Sequence, residues 1–220
     1  MNIAIDGPAG AGKSTIAKLV ADKKGFIYVD TGAMYRSIAL YIIENNINSD
    51  DELDIKNACE NIDIKLKHED GVQHIYLNER NVSTDIRREE VGNMASKAAT
   101  KKVVRDKLLN MQRDIAASND VIMDGRDIGT FVLPNAELKI YLTASVMTRA
   151  KRRFDQLVEK GESPDIDKIA EDIEKRDYQD MHRDIAPLKQ ADDAVLLDTS
   201  DMTIEEVIKK ISDLIDNVNN

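Results

Sequence analysis

Near its start the chain carries Gly7-Pro8-Ala9-Gly10-Ala11-Gly12-Lys13-Ser14, which satisfies the pattern G-x-x-x-x-G-K-[ST]. Glycines at these positions let the backbone curl until successive N–H groups converge, and a helix starting behind them adds the positive end of its dipole. Such a cradle binds a β-phosphate. Lys13 has the reach for β- and γ-phosphates, and the Ser14 hydroxyl is a ligand for Mg²⁺, with Thr15 offering a second hydroxyl beside it. The motif follows the apolar stretch Ile3-Ala4-Ile5 and precedes an amphipathic one, the strand–helix context it requires. Asp124, after Val121-Ile122-Met123, places a carboxylate at a strand end, where it would hold Mg²⁺ through water. Asp30, after Phe26 to Val29, competes for that role.

A second group of candidates is cationic. Eight of the 12 arginines lie between 105 and 183. Arg149, Arg152 and Arg153 stand at i, i+3, i+4 and so share one helix face, followed by the polar breaker Glu159 to Pro164. An arginine-bearing helix ending in a loop is how a lid over phosphates is built, excluding water and neutralising transferred charge. We therefore expect a lid at about 149–166, with Arg149 and Arg153 acting beside Lys13 and Arg126 in catalysis. The same spacing also suits a solvated face pairing with Asp155 and Glu159. Arg176, Asp180 and Arg183 lie at i, i+4, i+7. They suit either a ladder of salt bridges within one helix or two cations for an anionic substrate and a carboxylate for a sugar hydroxyl.

The elements that must position these residues follow from hydrophobic pattern. Ile3 to Ile5, Phe26 to Val29, Val121 to Met123, Leu138 to Leu142 and Val195 to Leu197 read as five strands covered on both faces. Between them run helical patterns at about 13–23, 33–45, 86–98, 102–117, 146–160, 166–183 and 203–216, with Gly25 and Gly161 at two helix ends. This alternation predicts an α/β domain with a doubly wound parallel sheet. Ile62 to Lys67 alternates strictly, Asp70-Gly71 is a favoured turn pair, and Ile75-Tyr76-Leu77 follows, predicting an antiparallel hairpin. Residues 45–95 are expected to form a lobe inserted in a single domain spanning 1–220.

Composition narrows the partners. With 31 Lys+Arg against 41 Asp+Glu, the net charge of −10 argues against a nucleic-acid polymer or anionic membrane. There is no Trp, and aromatics are 4%, so stacking platforms are sparse. Cys59 is the only cysteine and the three histidines are scattered, which offers neither a disulfide nor a Cys/His metal site. The longest apolar run, Ile38 to Ile43, falls far short of the roughly 20 residues of a membrane span, and the first residues lack a signal-peptide pattern. A cytoplasmic monomer is expected. No Asn-Lys-x-Asp guanine motif occurs, which argues against a GTPase.

Gly7 to Thr15, Asp30-Thr31-Gly32-Ala33-Met34-Tyr35-Arg36, Asp124-Gly125-Arg126-Asp127-Ile128-Gly129-Thr130 and Arg176 through Pro187 together resemble the bacterial cytidylate kinases, which are nucleoside monophosphate kinases. The resemblance implies a P-loop NTPase-type fold with a monophosphate-binding lobe and a short lid. It implies Mg²⁺ with ATP as donor, and CMP or dCMP as acceptor. Carried onto matching positions, it places Thr31 and Arg36 near the acceptor phosphate and ribose. Ser96, Arg105 and Asp127 would read the cytosine edge, Arg126 would bind the acceptor phosphate, and Arg176, Asp180 and Arg183 would handle ribose and phosphate. Family members often carry Ser where Thr31 stands, so the hydroxyl is kept and a methyl added. A kinase for another small acceptor, or an ATP-holding switch with no acceptor, are the competing readings.

Overall fold

Ile3, Ala4 and Ile5 are buried because β1 (Asn2–Asp6) runs in the middle of a five-stranded sheet. Its neighbours are β6 (Val121–Gly125) and β7 (Leu138–Thr143), both parallel to it. Outside them lie β2 (Ile27–Asp30) and β8 (Val195–Asp198), giving the order β2-β6-β1-β7-β8. The computed structural model describes residues 1–69 and 72–218. Two compact units make up the chain: 1–29 with 119–220, and 30–118.

In the first unit, Ile3, Ile5, Ile122, Ile140 and Leu142 of the sheet pack against Ile16, Ala17, Val20 and Ala21 of α1 (Lys13–Lys24) and Val207, Ile211 and Ile215 of α8 (Ile204–Val218). The i, i+4, i+8 spacing on α8 puts its apolar stripe on the sheet. Each such side chain stabilises the fold by about 1.5–3 kcal/mol through burial. That rigid layer fixes the carboxyl end of β1, where the phosphate loop starts. Gly25, with φ 72°, caps α1, and Gly161, with φ 81°, follows α6 (Val146–Glu159). Beyond it α7 spans Ile166–His182.

The second unit contains α2 (Thr31–Glu44), α3 (Glu52–Glu60), α4 (Glu89–Ala98) and α5 (Lys102–Ser118). It also holds a three-stranded sheet of β3 (Ile64–Glu69), β4 (Val72–Leu77) and β5 (Arg80–Asn81), with β3 and β4 antiparallel. Leu66↔Ile75 and Ile64↔Leu77 face each other, as the alternating sequence requires. The turn expected at Asp70-Gly71 lies outside the described residues. The lobe expected at 45–95 falls inside this unit, which also takes in α2 and α5. Cys59 on α3 is buried, and burial pushes its thiol pKa up.

Two expectations are corrected. β8 is not covered on both faces: it is an edge strand, with Val195 37% and Leu196 56% exposed. The helical pattern at 86–98 is broken at Arg88, whose φ of −63° and ψ of 143° are extended, so a 3₁₀ turn (Asp85–Arg87) precedes α4.

Candidate active site

In the first unit the phosphate loop follows from three glycines with different reasons. A Cβ on Gly7 would stand 1.9 Å from the Leu142 carbonyl oxygen, so β7 leaves no room for a side chain. Gly10 and Gly12, with φ of 74° and 89°, take the left-handed conformation that turns the loop into α1. Gly12 is the N-cap and supplies no side chain to the helix terminus, where the N–H groups of α1 begin. Lys13 is buried, and its Nζ donates to the Pro8 carbonyl at 2.8 Å, bending back across the loop. Burial, aided by the Arg126 charge, lowers its pKa to about 7, against the opposing pull of Asp124, Asp6 and Asp180.

Asp124 sits at the end of β6, 4% exposed. One carboxylate oxygen accepts from Ser14 Oγ at 2.8 Å and the other from Tyr28 Oη at 3.0 Å. A hydroxyl and a carboxylate in contact form a hard-oxygen donor set, the kind that Mg²⁺ takes. Thr15 is exposed. Asp30, the competing candidate, is engaged within the second unit. It caps α2 through the Ala33 N–H at 2.8 Å and takes both Arg36, at 3.0 Å, and Arg87, at 3.6 Å.

Arg149 reaches the phosphate loop. Its NH1 donates to the Ala9 carbonyl at 2.9 Å, its Nε to Ala144 at 2.9 Å, and it pairs with Asp177 at 2.6 Å. Asp177 in turn accepts from the Ala9 N–H at 3.3 Å, so one buried ion pair grips both polar groups of that peptide residue. Arg152 lies beside it, donating to the Ala11 carbonyl at 3.3 Å and to Thr199. Arg153 is exposed. The three arginines therefore do not share one environment: Arg149 and Arg152, on the two sides of one turn, reach the loop, whereas Arg153, one turn beyond Arg149, is exposed.

After β6 the chain forms a single π-helical turn, Ile128–Val132. Two ion pairs cross from its entry to α7 and the residue behind it. Arg126 Nε donates to Asp180 at 2.8 Å, and Arg183 NH2 donates to Asp127 at 2.9 Å. Burial works to lower the Arg126 guanidinium pKa, but the carboxylates of Asp180, Asp124 and Asp177 together raise it. Arg183 also donates to the Ala186 carbonyl at 2.8 Å through Nε, bracing a residue with φ of 46° just before Pro187. Asp180 and Arg183 thus reach sideways to residues 126 and 127. Arg176 is half-buried.

The remaining sequence candidates lie in the second unit. Thr31, 3% exposed, opens α2, and Arg36 follows it on the same helix. Arg105 is buried on α5, donates to the Ala99 carbonyl at 3.3 Å and lies 5.9 Å over the Tyr35 ring. Ser96 is half-buried on α4, its Oγ donating to Gly92 at 3.4 Å.

Four residues of the first unit escaped the sequence reading: Asp6, Tyr28, Arg152 in its contact with the loop, and Asp177. Asp6 was signalled by its place at a strand end directly before the motif. Asp177 was not signalled, since nothing in its spacing marks a partner on the loop.

A family model described as cytidylate kinase matches residues 3–217. A cytidylate kinase of Lactobacillus johnsonii is 52% identical over 215 residues, covering 98% of this chain and 94% of its own. One of Caldicellulosiruptor saccharolyticus is 50% identical over 214 residues, covering 97% and 95%. Among solved structures, an uncharacterised protein from Eubacterium ventriosum has a TM-score of 0.54 at 13% identity, covering 98% of each chain, a likeness of fold alone.

Proposed function

The chain belongs to the cytidylate kinase family, and from that premise we infer how its residues transfer a phosphoryl group from ATP to CMP. It is a nucleoside monophosphate kinase. The finer assignments rest on one observation in particular: a complete phosphate loop with Ser14 on Asp124 shares a unit with the crossed Arg126–Asp180 and Asp127–Arg183 pairs. That supports a triphosphate donor and an acceptor that already carries phosphate.

In this reading the loop from Gly7 to Thr15 holds the ATP phosphates, with Pro8 contributing no N–H, and Lys13 leaves the Pro8 carbonyl for the transferred phosphoryl group. Ser14 and Asp124 would hold Mg²⁺, Asp124 through water, and the ion would supply neutralisation of phosphate charge when bound. Arg126, Arg149 and Arg153 offset the negative charge of the transition state. Arg126, Arg176, Asp180 and Arg183 bind the acceptor phosphate and ribose, and Thr31 and Arg36 act on the same groups. Ser96, Arg105 and Asp127 read the cytosine edge. No general base is needed, because a monophosphate with a second pKa of about 6 is already anionic near neutral pH. Catalysis then consists of alignment and charge cancellation. The same site admits dCMP, and the protein is read as a cytoplasmic monomer. Among the described residues no helix is long and apolar enough to cross a membrane.

A coupled ADP-release assay with Mg-ATP against CMP, dCMP, UMP, AMP and GMP, each beside an acceptor-free blank, tests this reading. Strong stimulation by CMP and dCMP with weak stimulation by UMP is expected. Preference for another monophosphate would remove the base-contact assignments and leave the phosphate chemistry.

A further inference from the structure

Asp6 is the last residue of β1 and the residue directly before the phosphate loop. It is 5% exposed, and both of its carboxylate oxygens are in use: Oδ1 accepts from the Ile128 N–H at 2.8 Å and Oδ2 from the Gly129 N–H at 2.7 Å. Those are the first two N–H groups of the π-helical turn that follows Arg126 and Asp127. A helical turn leaves such donors without partners inside itself. The residue placed to cap them, Asp127, makes no capping bond, and its carboxylate is turned to Arg183 instead. The missing acceptor arrives from another strand.

The surroundings are fitted to that arrangement. A Cβ on Gly129 would stand 3.2 Å from the Lys139 side chain and 3.4 Å from Asp6 Oδ2, so a side chain there would press on Lys139 and crowd the contact with the carboxylate. Lys139 cannot easily withdraw, since its Nζ is tied to the Pro134 carbonyl at 2.6 Å and to Asp193 at 2.8 Å. The parallel register pairs Asp6 with Gly125, one residue before Arg126.

We propose that Asp6 is a positioning residue for the acceptor: by holding the Ile128 and Gly129 amides it fixes the turn from which Arg126 and Asp127 project, and ties that turn to the root of the phosphate loop. The proposal rests on the reading that Arg126 and Asp127 contact the monophosphate. A group with two accepting oxygens is required. In Asp6→Asn the amide oxygen keeps one N–H and the NH₂ faces the other, so the turn is held on one side only.

The test is steady-state kinetics of Asp6→Asn beside wild type and Asp127→Ala, at a temperature well below the melting point of each. For Asp6→Asn we expect the KM for CMP to rise about fivefold or more and the CMP-to-UMP ratio of kcat/KM to narrow by a similar factor, with the KM for ATP within about twofold of wild type. A brace that only stabilises the fold would lower the melting temperature and leave these kinetic values in place, and that result overturns the proposal. If Asp6→Asn does not fold, Gly129→Ala strains the same contact from its other partner and must give the same split between CMP and ATP. Asp127→Ala separates the two ways to fail. If it narrows the CMP-to-UMP ratio while Asp6→Asn does not, the role of Asp6 falls alone. If it leaves the ratio unchanged, the base-reading role of Asp127 falls and the role of Asp6 falls with it.

Discussion

Lys13 shows how far a single side chain departs from its motif. In sequence it is a cation for phosphate; in the structure its Nζ donates to Pro8 and burial draws its pKa downward. An anion at the loop offers a better partner than one carbonyl, because Coulomb attraction between opposite charges adds to the hydrogen bond. Lys13→Ala is expected to abolish turnover while the far-ultraviolet circular dichroism spectrum stays native; substantial residual activity would remove Lys13 from the mechanism. Asp127 makes the matching case for base choice. On the proposed reading its carboxylate, which holds Arg183 in the structure, would also accept from the cytosine amine where uracil has a carbonyl, a difference of about 1–3 kcal/mol. Asp127→Ala should therefore narrow the preference for CMP over UMP in the ADP-release assay. The phosphate loop, Asp124 and the Arg126-Asp127 pair were legible as residue types. Their partners were not: Asp180 and Arg183 suited rungs of one helix as well as contacts to a substrate, because spacing reports which face a residue is on and not what crosses to it.

The helix α6 places two arginines with proposed catalytic roles in different surroundings one turn apart. Arg149 is buried against Asp177 and two backbone carbonyls, whereas Arg153 is exposed. Removing one partner of a buried pair leaves an uncompensated charge and costs about 3–5 kcal/mol. Arg149→Gln should lose stability on that scale in urea unfolding. Arg153→Gln should move the unfolding free energy by less than about 0.5 kcal/mol. Its kcat, by contrast, should fall at least about tenfold if the helix closes over ATP; an unchanged kcat removes Arg153 from catalysis. Apart from α3, which none of the helical patterns covered, the helices and central strands were visible from periodicity because burial sets the pattern. β8 misled for the same reason: Val195 and Leu196 are apolar, but they are left exposed while β2, at the other edge, is buried, so what covers a strand and not its composition decides exposure. The break at Arg88 has a trace in the spacing: after Ile86 the i+3 and i+4 positions are Glu89 and Glu90, and the next buried apolar residue is Val91 at i+5.

At the scale of the whole molecule, the buried Asp6 carboxyl ties stability to pH. Burial raises its pKa from 3.8 to about 6, with the nearby Asp127 charge adding to this and the Ile128 and Gly129 amides and Lys13 opposing it. Between those values the native state binds more protons than the unfolded chain, so this group's contribution to stability falls as pH rises from about 4 to about 6. The unfolding free energy of wild type minus that of Asp6→Asn should therefore decrease across this window, by about 3 kcal/mol at most. Urea titrations of both proteins at pH 4.5 and 7 measure it, and a difference that stays flat would show that Asp6 titrates as in the unfolded chain. Sedimentation at the mass of one 24.7 kDa chain is the expected result for a monomer.

The lone cysteine turns one part of this protein into its own clock. A thiol-specific reagent reacts with thiolate, and Cys59 is both buried on α3 and held in its neutral form by that burial. Labelling therefore waits for the helix to open, and the slowing relative to the urea-unfolded chain gives the free energy of that opening directly. With one cysteine in 220 residues, every label counted in a mass spectrum reports the same event in the second unit, with no engineering of the chain.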